Sequence, residues 1–162
     1  MSPKKTIKEN YIAETFGNRV RLRVCGLLFR DDKLLLVKHK MDDYDLWAPP
    51  GGGVEFNESI EECLEREFYE ETGLTVMVKE FLFLSEHIKP PLHAVELFYH
   101  VVAKDFSLTP GREPEIKGRN ILQEFRFIDH KDLLEIPREE LHFALKSCTN
   151  PIQLLDKSGH LK

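Results

Sequence analysis

The chain has 162 residues, enough for one domain with a sizeable core, and a formal net charge of -5 at pH 7. That acidic balance argues against a nucleic-acid scaffold, so any phosphate recognition has to be local and helped by a cation. The three cysteines, Cys25, Cys63 and Cys148, are odd in number and lack CxxC spacing. They read as buried thiols of a reduced, cytoplasmic protein, not as a disulfide or zinc framework. The first residues, from Met1 to Asn10, carry no apolar leader, and no stretch is apolar for the length of a membrane span, so a soluble chain with no membrane or nucleic-acid partner is expected.

Residues 1 to 18 are polar and are expected as an arm. From Val20 the pattern tightens: Val20 to Val24 alternates and Cys25 to Phe29 runs apolar, which predicts a strand entering the core. Arg30 to Lys33 is turn-like, and Leu34 to Val37 returns as a second strand of a hairpin. Lys38, His39 and Lys40 close it, placed either to meet substrate phosphates or to end a solvated strand. Trp47 is expected to pad the sheet beneath a rigid Pro49-Pro50 turn, and Gly51-Gly52-Gly53 lets backbone approach a ligand closely.

A helix is predicted next. Ser59 and Glu62 form a Ser-x-x-Glu capping box, so it begins near Ile60, and Gly73 supplies the left-handed residue that ends it. Ile60, Leu64 and Phe68 make the anchoring stripe. Glu67, Glu70 and Glu71 stand at i, i+3 and i+4, which gathers three carboxylates on one face. Such a cluster repels itself unless a cation sits among it, and a hard divalent ion with oxygen ligands resolves the conflict; a plain solvated acidic face is the alternative.

Beyond the helix, Leu74 to Leu84 and His93 to Ala103 read as strands, with Ser85 to Leu92, including Pro90-Pro91, between them. Lys104 to Arg119 is a long polar loop of the kind that carries function. Ile121 to Ile128 is a further strand, Asp129 to Leu134 a short helix, and Pro137 to Ser147 a final helix with proline in its first turn. The remaining residues are expected as a loose tail, giving an arm (1–18), a domain (19–148) and a tail (149–162).

Gly52, five residues, Glu58, seven residues, then Arg66-Glu67-Phe68-Tyr69-Glu70-Glu71-Thr72-Gly73-Leu74 resembles, at every fixed position, the signature box of the Nudix hydrolases. Trp47 to Glu55 resembles the usual approach to that box. Asn57 departs from the glycine common before the first box glutamate, yet tolerates the same positive φ. The resemblance implies an α/β fold, an α/β/α sandwich around a mixed sheet, and hydrolysis of the diphosphate linkage of a nucleoside diphosphate joined to another moiety. It implies Mg²⁺ or Mn²⁺ held by Glu67, Glu70 and Glu71 with the Gly51 carbonyl, Arg66 orienting the carboxylates, and Glu58 bracing the loop. The base would be Glu67 or an acid from the later loop or strand, with Glu113, Glu115 and Glu124 as candidates. The partner would be a small nucleotide, and the family also admits a homodimer. Pro90 stands sixteen residues after Leu74, a spacing associated with the ADP-ribose-hydrolysing branch. Two alternatives remain: a nucleotide-sensing domain, which usually loses the box carboxylates present here, and a prenyl diphosphate isomerase, which needs a reactive cysteine and metal-binding histidines.

Overall fold

The computed structural model describes residues 17–40, 44–109 and 122–161. Strand β1 (Val20–Arg30) pairs parallel with β6 (Leu92–Ala103) and antiparallel with the short β4 (Gly51–Gly53). At its far end β1 turns through Asp31 and Asp32, both at positive φ, into β2 (Lys33–Lys40). Two short acidic residues tolerate the left-handed region that a tight hairpin needs. Strand β2 then pairs with β3 (Asp45–Ala48) and β7 (Leu122–Ile128), while β5 (Val76–Lys89) joins β6 to β8 (Gly159–Leu161).

Helix α1 (Ile60–Thr72) covers one side of this mixed sheet. Its Leu64 and Phe68 are fully buried with Val24, Leu28 and Val101, as the apolar stripe requires, and Cys63 joins them. Phe68 packs so tightly on β1 that Gly26 leaves no room for a side chain, since an added Cβ would lie 2.8 Å from Phe68 Cζ. A second core, on the opposite side, unites Leu34, Leu36, Trp47, Phe83, Phe98 and Ile128 with the later helices. Those are α2 (His130–Glu135), a 3₁₀ turn (Arg138–Glu140), α3 (Phe143–Lys146) and a second 3₁₀ turn (Pro151–Leu154). Helices on both sides of a mixed sheet give the α/β arrangement expected. Among the described residues no helix is long and apolar enough to cross a membrane.

Three expectations are corrected. The strand expected to end at Leu84 does not stop there: β5 runs on to Lys89 and meets β6 across a turn at Pro90-Pro91, with Ser85 and Glu96 buried as register partners. Pro137 to Ser147 is not one helix, because Leu141 bridges to Trp47 and the His142 N–H donates to the Trp47 carbonyl, drawing the chain into an extended step. The residues after Ser147 are no loose tail. Asn150 caps the second 3₁₀ turn, Leu154 is fully buried, and β8 lies parallel to β5 with the Leu161 carbonyl accepting from Ser85 Oγ at 3.1 Å.

Candidate active site

The helix that carries the acids is set by local chemistry at both ends. Ser59 Oγ accepts from the Glu62 N–H at 3.2 Å and the Glu62 carboxylate accepts from the Ser59 N–H at 2.8 Å, the reciprocal box read from the sequence. Gly73 sits at φ 72° and donates to the Tyr69 carbonyl. Asn57 is at φ 67°, where the sequence predicted tolerance of a positive φ. The box therefore leaves the glycine turn and enters the helix on a path that its own residues define.

Arg66 is the hub. Its Nε and Nη2 donate to the two oxygens of Glu58 at 2.7 and 3.0 Å, a forked contact that fastens the loop before the helix. Its Nη1 donates to Glu67 Oε1 at 2.8 Å and to Glu70 Oε2 at 3.3 Å, and Nη2 also reaches the Gly53 carbonyl at 3.3 Å. The guanidinium holds the Glu58 carboxyl down to about 2, well below its ordinary range. Glu67 goes the other way: burial pushes its carboxyl up, only partly countered by Arg66. The two neighbours thus differ in how readily they take a proton.

Glu71 is turned elsewhere. It is 1% exposed, its Oε2 accepts the Gly51 N–H at 3.0 Å, and its Oε1 lies 3.6 Å from His39 Nε2. His39 reaches that point where the β2–β7 register shifts between Lys38 and His39, and burial, with the charge of Arg23, lowers its imidazole to about 4, so it is neutral at pH 7. The glycines matter for the same geometry. A Cβ on Gly52 would fall within the Glu67 carboxylate, 2.6 Å from Oε2, so only glycine lets that acid lie against β4.

Of the acids expected on one face, Glu67 and Glu70 converge on a single guanidinium nitrogen, while Glu71 braces the glycine turn. Among the described residues no three His, Cys, Asp or Glu side chains stand close enough together to hold a metal ion. The donor set still suits a hard cation, because Glu67 Oε2 and Glu70 Oε1 make no bond to the described protein and both are carboxylate oxygens. Glu124 lies on β7, exposed, 3.5 Å from Arg126, and is not part of this cluster. Glu113 and Glu115 fall outside the described residues. Trp47 is buried, as expected, with Lys38 and Arg126 over its ring.

The sequence reading passed over a second charged group. Glu96, 5% exposed, accepts from Arg23 Nε at 2.9 Å through Oε1 and meets His142 Nε2 at 2.9 Å through Oε2. The signal was present: Glu96 stands between Ala94 and Phe98 on the buried side of an alternating strand, where an ion needs a partner. Burial pushes its carboxyl up, but His142 and Arg23 outweigh this and leave it at about 2.

Comparison with known proteins agrees with this architecture. A NUDIX domain profile matches residues 19–146. Among sequence relatives, an ADP-ribose pyrophosphatase of Methanocaldococcus jannaschii is 33% identical over 118 residues, covering 69% of each chain. The nucleoside triphosphatase NudI of Escherichia coli is 32% identical over 125 residues, covering 72% of this chain and 86% of that one. In structure, a MutT NUDIX hydrolase of Burkholderia pseudomallei superposes with a TM-score of 0.62 at 22% identity, over 86% of this chain and 98% of that one. The solution structure of the E. coli ORF135 protein gives 0.63 at 22% identity, over 88% and 94%. The chain belongs to the NUDIX domain family. Its sequence relatives place it among that family's pyrophosphohydrolases.

Proposed function

We propose that this chain hydrolyses the diphosphate linkage of a nucleoside diphosphate joined to a second group, with Mg²⁺ or Mn²⁺ as its cofactor and a small nucleotide as its substrate. The observation that carries the reading is Arg66, which draws Glu67 and Glu70 to one nitrogen and leaves one oxygen of each without a bond to the described residues. Glu67 and Glu70 would hold the cation, with Glu71 from the same helix and the Gly51 carbonyl from the glycine turn completing its ligands. A divalent ion there supplies Lewis-acid polarisation of the phosphoryl oxygens and makes a water easier to deprotonate.

The protein's own groups do the rest. Water attacks phosphorus, the bridging P–O bond breaks, and two phosphate monoesters leave. Glu67 suits the role of base, because burial raises its carboxyl toward the pH at which it can accept that proton; Glu113 or Glu115 from the later loop would assist. Arg66 keeps both carboxylates in place while the charge on the phosphate changes. The relative named as an ADP-ribose pyrophosphatase favours an ADP-ribose-like substrate, and NudI a nucleoside triphosphate. Three free, buried cysteines accord with a cytoplasmic setting.

The test is turnover of ADP-ribose, nucleotide sugars and nucleoside triphosphates with Mg²⁺ or Mn²⁺, comparing the wild type with Glu67→Gln and Glu70→Gln. Metal-dependent turnover lost in both folded variants is expected. Nucleotide binding without turnover of any substrate would overturn the reading in favour of a sensing domain.

A further inference from the structure

Arg23 lies in the first half of β1, on the strand face that also carries Cys25 and Leu27, and its side chain is 28% exposed. Its Nε is committed to Glu96 Oε1 at 2.9 Å. The other oxygen of Glu96 meets His142 Nε2, and His142 Nδ1 accepts the Ala144 N–H at 3.4 Å, which makes Nε2 the protonated nitrogen. Both oxygens of Glu96 are thus engaged, and its Oε1 fixes the arginine through Nε. Neither Nη of Arg23 has a hydrogen-bond or ion-pair partner among the described residues.

The surroundings say what those donors face. Arg23 pairs in register with Gly53, where among the described residues an added Cβ would meet only Arg21 Nη2, at 3.9 Å. Gly53, the register partner of Arg23, accepts Arg66 Nη2 through its carbonyl at 3.3 Å, and Gly52 next to it lies against the Glu67 carboxylate, so Arg23 stands beside the strand that the box residues grip. A diphosphate entering there meets several carboxylates. Arg66 cannot answer it, because its Nε, Nη1 and Nη2 are already bonded to Glu58, Glu67, Glu70 and the Gly53 carbonyl. Arg23 keeps a planar pair of donors whose spacing matches two phosphoryl oxygens.

We propose that Arg23, held by Glu96 and His142, binds a phosphoryl group of the substrate through its two Nη nitrogens and so positions the diphosphate against Glu67 and Glu70. This rests on the diphosphate-hydrolase reading above. A nucleobase edge is the other ligand such a fork could take; nearness to the box acids favours phosphate.

The test uses the full chain with Mg²⁺: KM and kcat for ADP-ribose, and competitive inhibition by inorganic pyrophosphate and by adenosine, in wild type, Arg23→Lys and Arg23→Ala. A charge-assisted fork predicts a rise in KM of about ten- to hundredfold for Arg23→Ala and a smaller rise for Arg23→Lys. Pyrophosphate inhibition should weaken in parallel and adenosine inhibition should stay constant. Because Arg23→Ala strands a buried Glu96, the Arg23→Lys measurement, which keeps the charge, decides the matter if the alanine variant does not fold. Unchanged KM in Arg23→Lys and any folded alanine variant, or equal weakening of adenosine, overturns the assignment while wild-type turnover leaves the hydrolase reading intact. Absence of wild-type turnover on any nucleoside diphosphate overturns both.

Discussion

Arg66 grips both oxygens of Glu58, at 2.7 and 3.0 Å, and so ties the glycine-turn loop to the helix face that carries Glu67 and Glu70. This pair is half-buried, with side-chain exposures of 27% and 13%, so its loss costs more than that of a surface ion pair. Arg66→Gln is expected to lower stability by about 1–3 kcal/mol and to reduce kcat by at least about tenfold, since it frees the loop and both acids together. Urea denaturation and steady-state kinetics on the same preparation check both effects.

Gly52 is where a single methyl group reaches the candidate site. Gly52→Ala collides with the Glu67 carboxylate, the far end of a flexible side chain, so the fold can absorb it by swinging that acid away. Activity should fall steeply while the melting temperature shifts little. Gly53→Ala is the control, because among the described residues only Arg21 Nη2 comes within 4 Å of the added Cβ, at 3.9 Å. Equal activity losses in the two variants would show that the Glu67 collision is not the cause.

Gly26→Ala should do the reverse. Its Cβ meets the Phe68 ring and, at 3.2 Å, Val101 Cγ1, all within the core beneath helix α1. Overpacking of this kind costs about 1–3 kcal/mol. Thermal unfolding should report the loss before any change in metal dependence.

Cation binding should stabilise the protein through Glu67 and Glu70. At a concentration about a hundredfold above its dissociation constant, Mg²⁺ or Mn²⁺ would add about 2.7 kcal/mol. Thermal melts with and without the ion should differ in wild type and converge in Glu67→Gln and Glu70→Gln. A shift retained in both variants would place the ion elsewhere.

Glu96 predicts an acid limb of stability. Its carboxyl falls from 4.5 to about 2 on folding, so the ionised form favours the folded state. That contribution is fully present above about pH 4.5 and is lost as pH falls through about 2, where both states are protonated. At roughly 1.4 kcal/mol per unit it amounts to about 3 kcal/mol. Glu96→Gln should be less stable than wild type at pH 7 and should lose less between pH 5 and 2. Parallel denaturation curves for the two proteins across that range would contradict the assignment.

What the sequence determined by itself was local. The Ser59–Glu62 box, the left-handed Gly73, the positive φ of Asn57 and the Asp31-Asp32 turn each depend on neighbours a few residues away, and the helix period placed Glu67, Glu70 and Phe68 on their sides. The motif spacing added the family. Only the tertiary structure decided which acids meet. Glu71 shares a helix with Glu67 but turns to the Gly51 N–H twenty residues away. Arg23 finds Glu96 at a separation of 73 residues because β1 and β6 run parallel, and His142 joins from 46 residues beyond Glu96. The strands extended through Ser85 and Lys89, and the chain end folded back as β8, for the same reason. Pairing between distant strands is set by which faces must be buried together, and no window of neighbouring residues carries that information.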